Sequence, residues 1–112
     1  MRQIVLDTET TGLNPKSGDR VVEIGCVEIV NQVATGEIYH QYINPAKTLT
    51  EDNIKIHGIT NEHLIDKPLF DEVADDFLAF IEDSSIIAHN ASFDIGFLNF
   101  ELEKLSKPKI AK

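Results

Sequence analysis

Asp7-Thr8-Glu9 is the segment of this chain with the most pointed chemistry. It follows the apolar run Ile4-Val5-Leu6 and precedes Thr10-Thr11-Gly12. On an extended strand, residues i and i+2 project from the same face, which sets the Asp7 and Glu9 carboxylates side by side. Like charges that close repel, and partial burial adds a desolvation cost. A divalent metal ion offsets both. Mg²⁺ favours hard oxygen ligands from one or two carboxylates, completed by phosphate and water. The plainer alternative is a solvated turn with Asp7 capping nearby backbone groups. The apolar run before it weighs against that alternative.

Asp94 is the second signal. It follows Ala88-His89-Asn90-Ala91-Ser92-Phe93 and falls in the first turn of a helix expected over residues 92–105. Phe97 and Leu98 lie three and four residues on, so Asp94 shares the apolar face of that helix. A carboxylate aimed at a core is costly unless paired or well hydrogen-bonded. The free N–H groups of a helix start offer some relief. Either Asp94 is a buried N-terminal acid, or it is a third metal-site carboxylate brought opposite Asp7 and Glu9 by the strand before it. The histidines are weaker candidates. His89 is expected to end a buried strand, His40 to sit on an edge strand and His63 in a polar turn. His57 either packs under the loop holding Ile56 and Ile59 or touches a substrate. Asn90-Ala91-Ser92 fits a glycosylation sequon, but no secretory signal accompanies it.

These groups need elements to position them. Residues 3–8 are apolar and then abruptly acidic, as in a strand. Residues 21–30 are rich in β-branched residues and predict a second strand; Asn31 to Gly36 predicts a turn. Residues 37–43 predict a third strand, ended by Asn44-Pro45. Short connections between these strands predict an antiparallel meander. Thr50-Glu51-Asp52-Asn53 looks like a helix start with acids at its positive end, and Gly58 a stop. Phe70, Val73, Ala74, Phe77, Leu78 and Ile81 mark an amphipathic helix over 70–82, with Phe70, Phe77 and Phe80 as core residues. Ser85 to His89 predicts a short buried strand, and 92–105 a helix with Ile95, Leu98, Leu102 and Leu105 on one stripe. This order implies an α/β fold: a mixed sheet with helices packed on it.

Composition narrows the function classes. With 112 residues, 42% hydrophobic and 26% charged, the chain suits one globular domain. No apolar run approaches the ~20 residues of a membrane span, so no membrane partner is expected. Met1-Arg2-Gln3 leads straight into a strand, without a signal peptide. The lone Cys26 allows no internal disulfide. Nineteen acidic residues against ten Lys plus Arg leave a net charge of −9. Polyanion binding draws on Lys and Arg that displace counterions, so any nucleic-acid role here needs metal ions or a partner's basic surface.

Ile4-Val5-Leu6-Asp7-Thr8-Glu9-Thr10-Thr11-Gly12-Leu13 resembles the first motif of the DEDD exonuclease superfamily. Ile87-Ala88-His89-Asn90-Ala91-Ser92-Phe93-Asp94-Ile95-Gly96-Phe97-Leu98 resembles its second. Val22-Glu23-Ile24-Gly25 and Ile56-His57-Gly58-Ile59-Thr60 are similar to its connecting segments. With Asp66-Lys67-Pro68 and Glu72-Val73-Ala74-Asp75, the pattern is most similar to the DEDDh branch that contains the proofreading (epsilon) subunits of bacterial DNA polymerase III.

The resemblance implies a ribonuclease H-like fold: three antiparallel strands, then a parallel strand, flanked by helices. It implies 3′→5′ removal of nucleotides from single-stranded DNA ends with two Mg²⁺ or Mn²⁺ ions. Asp7, Glu9 and Asp94 would be the metal ligands and catalytic residues, with Asp7 bridging the ions. Asp7, Glu9, Thr10, Asp52, His57, Asn90 and Phe93 would meet the substrate. The implied partners are a polymerase catalytic subunit and a small accessory subunit, in the bacterial cytoplasm. The family's third motif, a His base followed five residues later by a last Asp ligand, has no counterpart: residues 95–112 contain neither His nor Asp. Residues 1–112 are therefore expected to be the N-terminal part of one exonuclease domain, incomplete at the C-terminus and impaired alone. Without closing helices, the sheet is expected to leave apolar surface bare, which favours association. The alternatives are a non-catalytic fragment that binds a polymerase subunit, or an exonuclease of a neighbouring branch acting on RNA.

Overall fold

The computed structural model describes residues 1–110. The elements run β1 (Arg2–Thr10), β2 (Val21–Val30), β3 (Val33–Tyr42), α1 (Glu51–His57), α2 (Asn61–Leu64), α3 (Phe70–Ile81), β4 (Ser85–Ile87) and α4 (Ala91–Lys104), with a 3-10 turn at Pro15–Ser17. The sheet order is β3-β2-β1-β4. β1 pairs antiparallel with β2 and β2 with β3, while β4 runs parallel to β1. The expected mixed sheet is the one observed.

Side-chain alternation on β1 divides the molecule. Ile4, Leu6 and Thr8 are buried, whereas Val5 and Asp7 are exposed. Helices α3 and α4 cover the first face. Phe70, Val73, Ala74, Phe77 and Ile81 of α3 and Phe97, Leu98 and Leu102 of α4 join Ile4, Leu6, Ile24 and Cys26 in one core. The helical period of those α3 residues sets this contact, and Glu72 accepts the Leu69 backbone N–H at 2.8 Å to close the helix start. A smaller cluster of Val22, Leu49, Ile59 and Leu64 fastens α1 and α2.

Local signals explain most boundaries. Thr50 and Asn53 form a reciprocal capping box at the start of α1, and Gly58 ends it at φ 72°. β3 begins at Val33, not residue 37, because the expected turn shrinks to Asn31 and Gln32, at φ 50° and 69°. Two consecutive left-handed residues make the tight hairpin turn whose twist matches its strands. Turn-forming Gly36 therefore lies inside a strand. β4 ends at Ile87 and is not buried: Ser85 and Ile87 are exposed and Ile86 half-buried, since the strand pairs only along β1. His89 lies beyond it, exposed. α2, within what the sequence predicts as a polar turn at His63, is capped by Thr60.

An ion pair that sequence patterning did not single out secures α4. Glu101, only 3% exposed, accepts from Arg20 Nε at 2.6 Å and from a terminal guanidinium nitrogen at 2.8 Å. Arg20 sits at the end of the β1–β2 loop, where its C=O accepts the Thr11 N–H at 2.8 Å. Glu101 is seven residues, two helical turns, from Asp94, so one face of α4 carries both acids. Lys104 Nζ, 3.4 Å from the same carboxylate, would remain beside Glu101 when Arg20 is removed. Arg20→Ala is expected to lower unfolding free energy by about 2 kcal/mol in urea titrations, the loss of hydrogen bonds to a charged group. A loss under about 1 kcal/mol would mean that water already reaches Glu101.

Candidate active site

Asp7 and Glu9 project from the end of β1 on the face away from α3 and α4. Across β1–β2 the register sets Asp7 opposite Gly25 and Glu9 opposite Glu23. Asp7, Thr8, Glu9, Glu23 and Gly25 line a small recess of about 80 Å³. Burial pushes the Glu9 carboxyl above its ordinary value, and the charges of Asp7, Glu23 and Asp94 push it further. Glu23 is the acid that motif spacing alone did not bring into this group. Its carboxylate is bonded to His40 Nε2 at 2.5 Å. Strand alternation over 21–30 was the available signal, but the register with β1 comes only from the fold.

Asp94 reaches the same strand from the other side. The first turn of α4 places it 4% exposed, where it accepts a hydrogen bond from the Thr8 hydroxyl. Thr8 lies between Asp7 and Glu9, so Asp94 is tied to the acidic strand end through the one residue there that faces the helices. Burial raises the Asp94 carboxyl above its ordinary range; the Thr8 hydroxyl opposes this and the Asp7 charge adds to it. Asn90 caps α4 through its C=O, which accepts the Phe93 and Asp94 N–H groups at 3.0 and 3.1 Å. Phe93 is half-buried against Phe97, ring centroids 5.0 Å apart.

The other sequence candidates sit around this strand end. The Thr10 hydroxyl donates to the Gly12 carbonyl at 2.7 Å. A Cβ at Gly12 would fall 2.3 Å from the Asp19 carboxylate, which would have to swing aside. Asp19 in turn accepts from the Thr11 hydroxyl and the Asn14 N–H, both at 3.1 Å. Asn53 donates to the Thr11 carbonyl and so fastens α1 to the loop. That leaves His57 beside the strand end, within electrostatic reach of Glu23. His57 Nδ1 accepts the Ile59 N–H at 3.1 Å, while Nε2 is shielded and has no partner among the described residues. Burial holds His57 below its ordinary pKa, which favours the neutral ring with its proton on Nε2. Asp52 is exposed in the first turn of α1.

The donor set has the chemistry of a divalent-cation site: hard carboxylate oxygens, two of them driven toward protonation by burial and mutual repulsion. The geometry goes part of the way. Among the described residues, no three acidic, histidine or cysteine side chains come together closely enough to hold one ion. Asp7 and Glu9 lie on one face and Asp94 is engaged by Thr8 from the other.

Burial of Asp94, with the Asp7 charge adding to it, has a consequence for stability. Asp94 binds its proton more tightly folded than at its ordinary value of 3.8. Below that value both states are protonated and nothing is lost. As pH climbs, the unfolded chain ionises first, and stability falls until the folded carboxyl also ionises. Asp94→Asn is therefore expected to raise the melting temperature by a few degrees near pH 7 and not near pH 3. Thermal melts at the two pH values check this, and equal shifts would show that the ionised group is fully solvated.

Comparison with known proteins bears on the family and the fold. The exonuclease (RNase T) family profile matches residues 4–112. The chain is 57% identical over 110 residues to the DNA polymerase III subunit epsilon of Rickettsia felis, covering 98% of this chain and 48% of the relative. It is 50% identical over 110 residues to that of Buchnera aphidicola from Acyrthosiphon pisum, covering 95% of this chain and 46% of the relative. The chain thus spans about half the length of the curated relatives it matches. Among solved structures, the fold is similar to the nuclease domain of 3′hExo, a DEDDh family member bound to rAMP, at TM-score 0.79 and 17% identity. That match covers 96% of this chain and 60% of the other. Exonuclease X in complex with 5′-overhanging duplex DNA follows at TM-score 0.68 and 25% identity, covering 96% of this chain and 55% of the other. A profile match over nearly the whole chain, and the same ribonuclease H-like sheet, place this protein in the exonuclease family.

Proposed function

We propose that this chain supplies the N-terminal part of a 3′→5′ DNA exonuclease centre of the proofreading type, serving a bacterial replicative polymerase in the cytoplasm. The observation that carries the reading is the acidic end of β1, Asp7 and Glu9, with the buried carboxylate of Asp94 tied to it through Thr8. A buried acid repelled by its neighbours is costly in a purely structural role. The half-length match to epsilon subunits supports the polymerase context, with a catalytic subunit and a small accessory subunit as partners.

In this reading Asp7, Glu9 and Asp94 hold Mg²⁺ or Mn²⁺, two ions in a complete site. Bound there, the metal would lower the pKa of an attacking water and offset charge on the departing 3′ oxygen. The remaining roles belong to this chain's own groups. Thr10 and the loop after it border the terminal nucleotide, the loop held in shape by Asp19 and Asn53. The His57 Nε2–H is a donor without a partner among the described residues, suited to an oxygen at the 3′ end. Asp52, at the start of the same helix, borders that end. Asn90 and Phe93 form the wall beside Asp94. With a net charge of −9, the chain has little of its own to attract a polyanion, so cations carry that attraction.

Residues 95–112 hold no His or Asp to act as base or last ligand. A general base is worth ~10²–10⁴ in rate, so slow turnover is expected of residues 1–112 by themselves. The test is release of nucleotides from a 3′-labelled single-stranded DNA oligonucleotide with Mn²⁺. Activity should fall by at least ~10²-fold in Asp7→Ala. Faster cleavage of a matched RNA would replace the DNA assignment. Cleavage that persists in Asp7→Ala would remove Asp7 from the site, and absence of cleavage even with excess Mn²⁺ would leave the non-catalytic binding reading.

A further inference from the structure

Strand alternation decides what stands between the two carboxylates at the end of β1. Asp7 and Glu9 face away from the helices, so the residue between them must face toward them. The two earlier positions on that side, Ile4 and Leu6, are apolar and buried. Thr8 carries a hydroxyl there instead, with the residue only 8% exposed. A hydroxyl taken out of water costs free energy unless it is bonded. Its partner is Asp94 Oδ1 in the first turn of α4, 86 residues along the chain.

The bond is of a strong kind. A hydroxyl that donates to a carboxylate makes a charge-assisted hydrogen bond, shorter and stronger than a neutral one. Threonine also has two heavy atoms on Cβ, which restricts χ1 and so fixes where the hydroxyl aims. Other restraints on the Asp94 carboxylate are few. The Asn90 carbonyl holds the Asp94 N–H, which is backbone and leaves the side chain free to turn. The ion pairs of α4 among the described residues go to Glu101 and Glu103, not to Asp94. The position of this carboxylate relative to Asp7 and Glu9 therefore depends on Thr8.

We propose that Thr8 is a positioning residue for the cation site: its hydroxyl sets the Asp94 carboxylate at the acidic end of β1 before an ion arrives, and cation affinity depends on that bond. The proposal rests on reading Asp7, Glu9 and Asp94 as cation ligands. A carboxylate offers about four lone-pair sites, so one bond from Thr8 leaves room for a cation. Removing the hydrogen-bond partner of a metal ligand typically weakens metal binding by about 10- to 100-fold. The competing role is structural only, in which Thr8 satisfies a buried acid for the sake of the fold. That role would cost stability and leave the cation affinity of the folded chain unchanged.

The test measures Mn²⁺ binding to the purified chain, without substrate, from the electron paramagnetic resonance signal of the free ion. Thr8→Val replaces the hydroxyl with a methyl group and should weaken binding by about 10- to 100-fold. Thr8→Ser should recover most of the affinity. If circular dichroism shows that Thr8→Val disturbs folding, Thr8→Ala against Thr8→Ser gives the same comparison without an added methyl group. In Asp94→Ala, where Asp7 and Glu9 remain, Thr8→Val should change affinity by less than about twofold, since no carboxylate is left to place. Thr35→Val is the matched control. It removes a hydroxyl from another carboxylate, that of Glu28 at 2.7 Å, on a residue paired with Ile4 rather than with the acidic end, and should leave binding unchanged.

Unchanged or tighter Mn²⁺ binding in Thr8→Val, with only a lower melting temperature, would overturn the proposal and leave the ligand reading standing. A loss of equal size in the Asp94→Ala background would overturn it as well, because Thr8 would then act without Asp94. A wild-type chain that binds no Mn²⁺ would remove both the proposal and the ligand reading. Nucleotide release is measured on the same samples. Binding that depends on Thr8 without any release supports the proposal and counts against the exonuclease reading alone.

Discussion

The two-residue period of β1 is the constraint from which the rest follows. One strand must satisfy two environments at once. Its even-numbered side chains Ile4, Leu6 and Thr8 go under the helices, and its odd-numbered Val5, Asp7 and Glu9 go to the opposite face. A shift of register by one residue would bury two carboxylates under Phe77 and Leu98. Long pairing with β2 over the whole strand, and β4 on the other side, lock the register. Thr8 is then the one polar residue that faces the helices at the acidic end, and Asp94 meets it there.

Electrostatic cost and mechanical restraint are matched around that end. Burial and repulsion work against the ionised forms of Glu9 and Asp94. At Asp94 the Thr8 hydroxyl and backbone oppose this first, and the His89 charge adds to them. The shortest ion pair on α4 among the described residues, Arg20–Glu101, sits two turns away and fastens the helix to the β1–β2 loop. Glu23 is engaged by His40, whereas Asp7, Glu9 and Asp94 have no ion pair among the described residues, which is the condition that favours a cation. Gly12 and Asn53 serve the same end, since both hold the loop that leaves β1.

Much of the site was legible in the residues. The i, i+2 spacing of Asp7 and Glu9 needs only a strand, and the apolar run before them predicts one. Asp94 on the apolar face of its helix follows from counting to Phe97 and Leu98. Other members were not legible. Glu23 looks like any charged residue on a β-branched strand until register sets it opposite Glu9. Thr8 looks like a spacer between two acids. Glu101 and Arg20 are 81 residues apart, and no local pattern pairs them.

Short-range physics explains what the chain determined by itself: helix caps at Thr50 and Gly58, the period of α3, and alternation along β1 and β2. Each depends on neighbours within a turn or two, so residue order is enough. Tertiary structure decided the rest. The hairpin turn closed at Asn31–Gln32, four residues before the glycine that looked like its end, because cross-strand pairing outweighed local turn preference. β4 was left at an edge because only β1 lies beside it. The face on which each carboxylate stands relative to Asp94 was settled by packing α4 against β1, a contact between residues more than eighty positions apart that no local preference encodes.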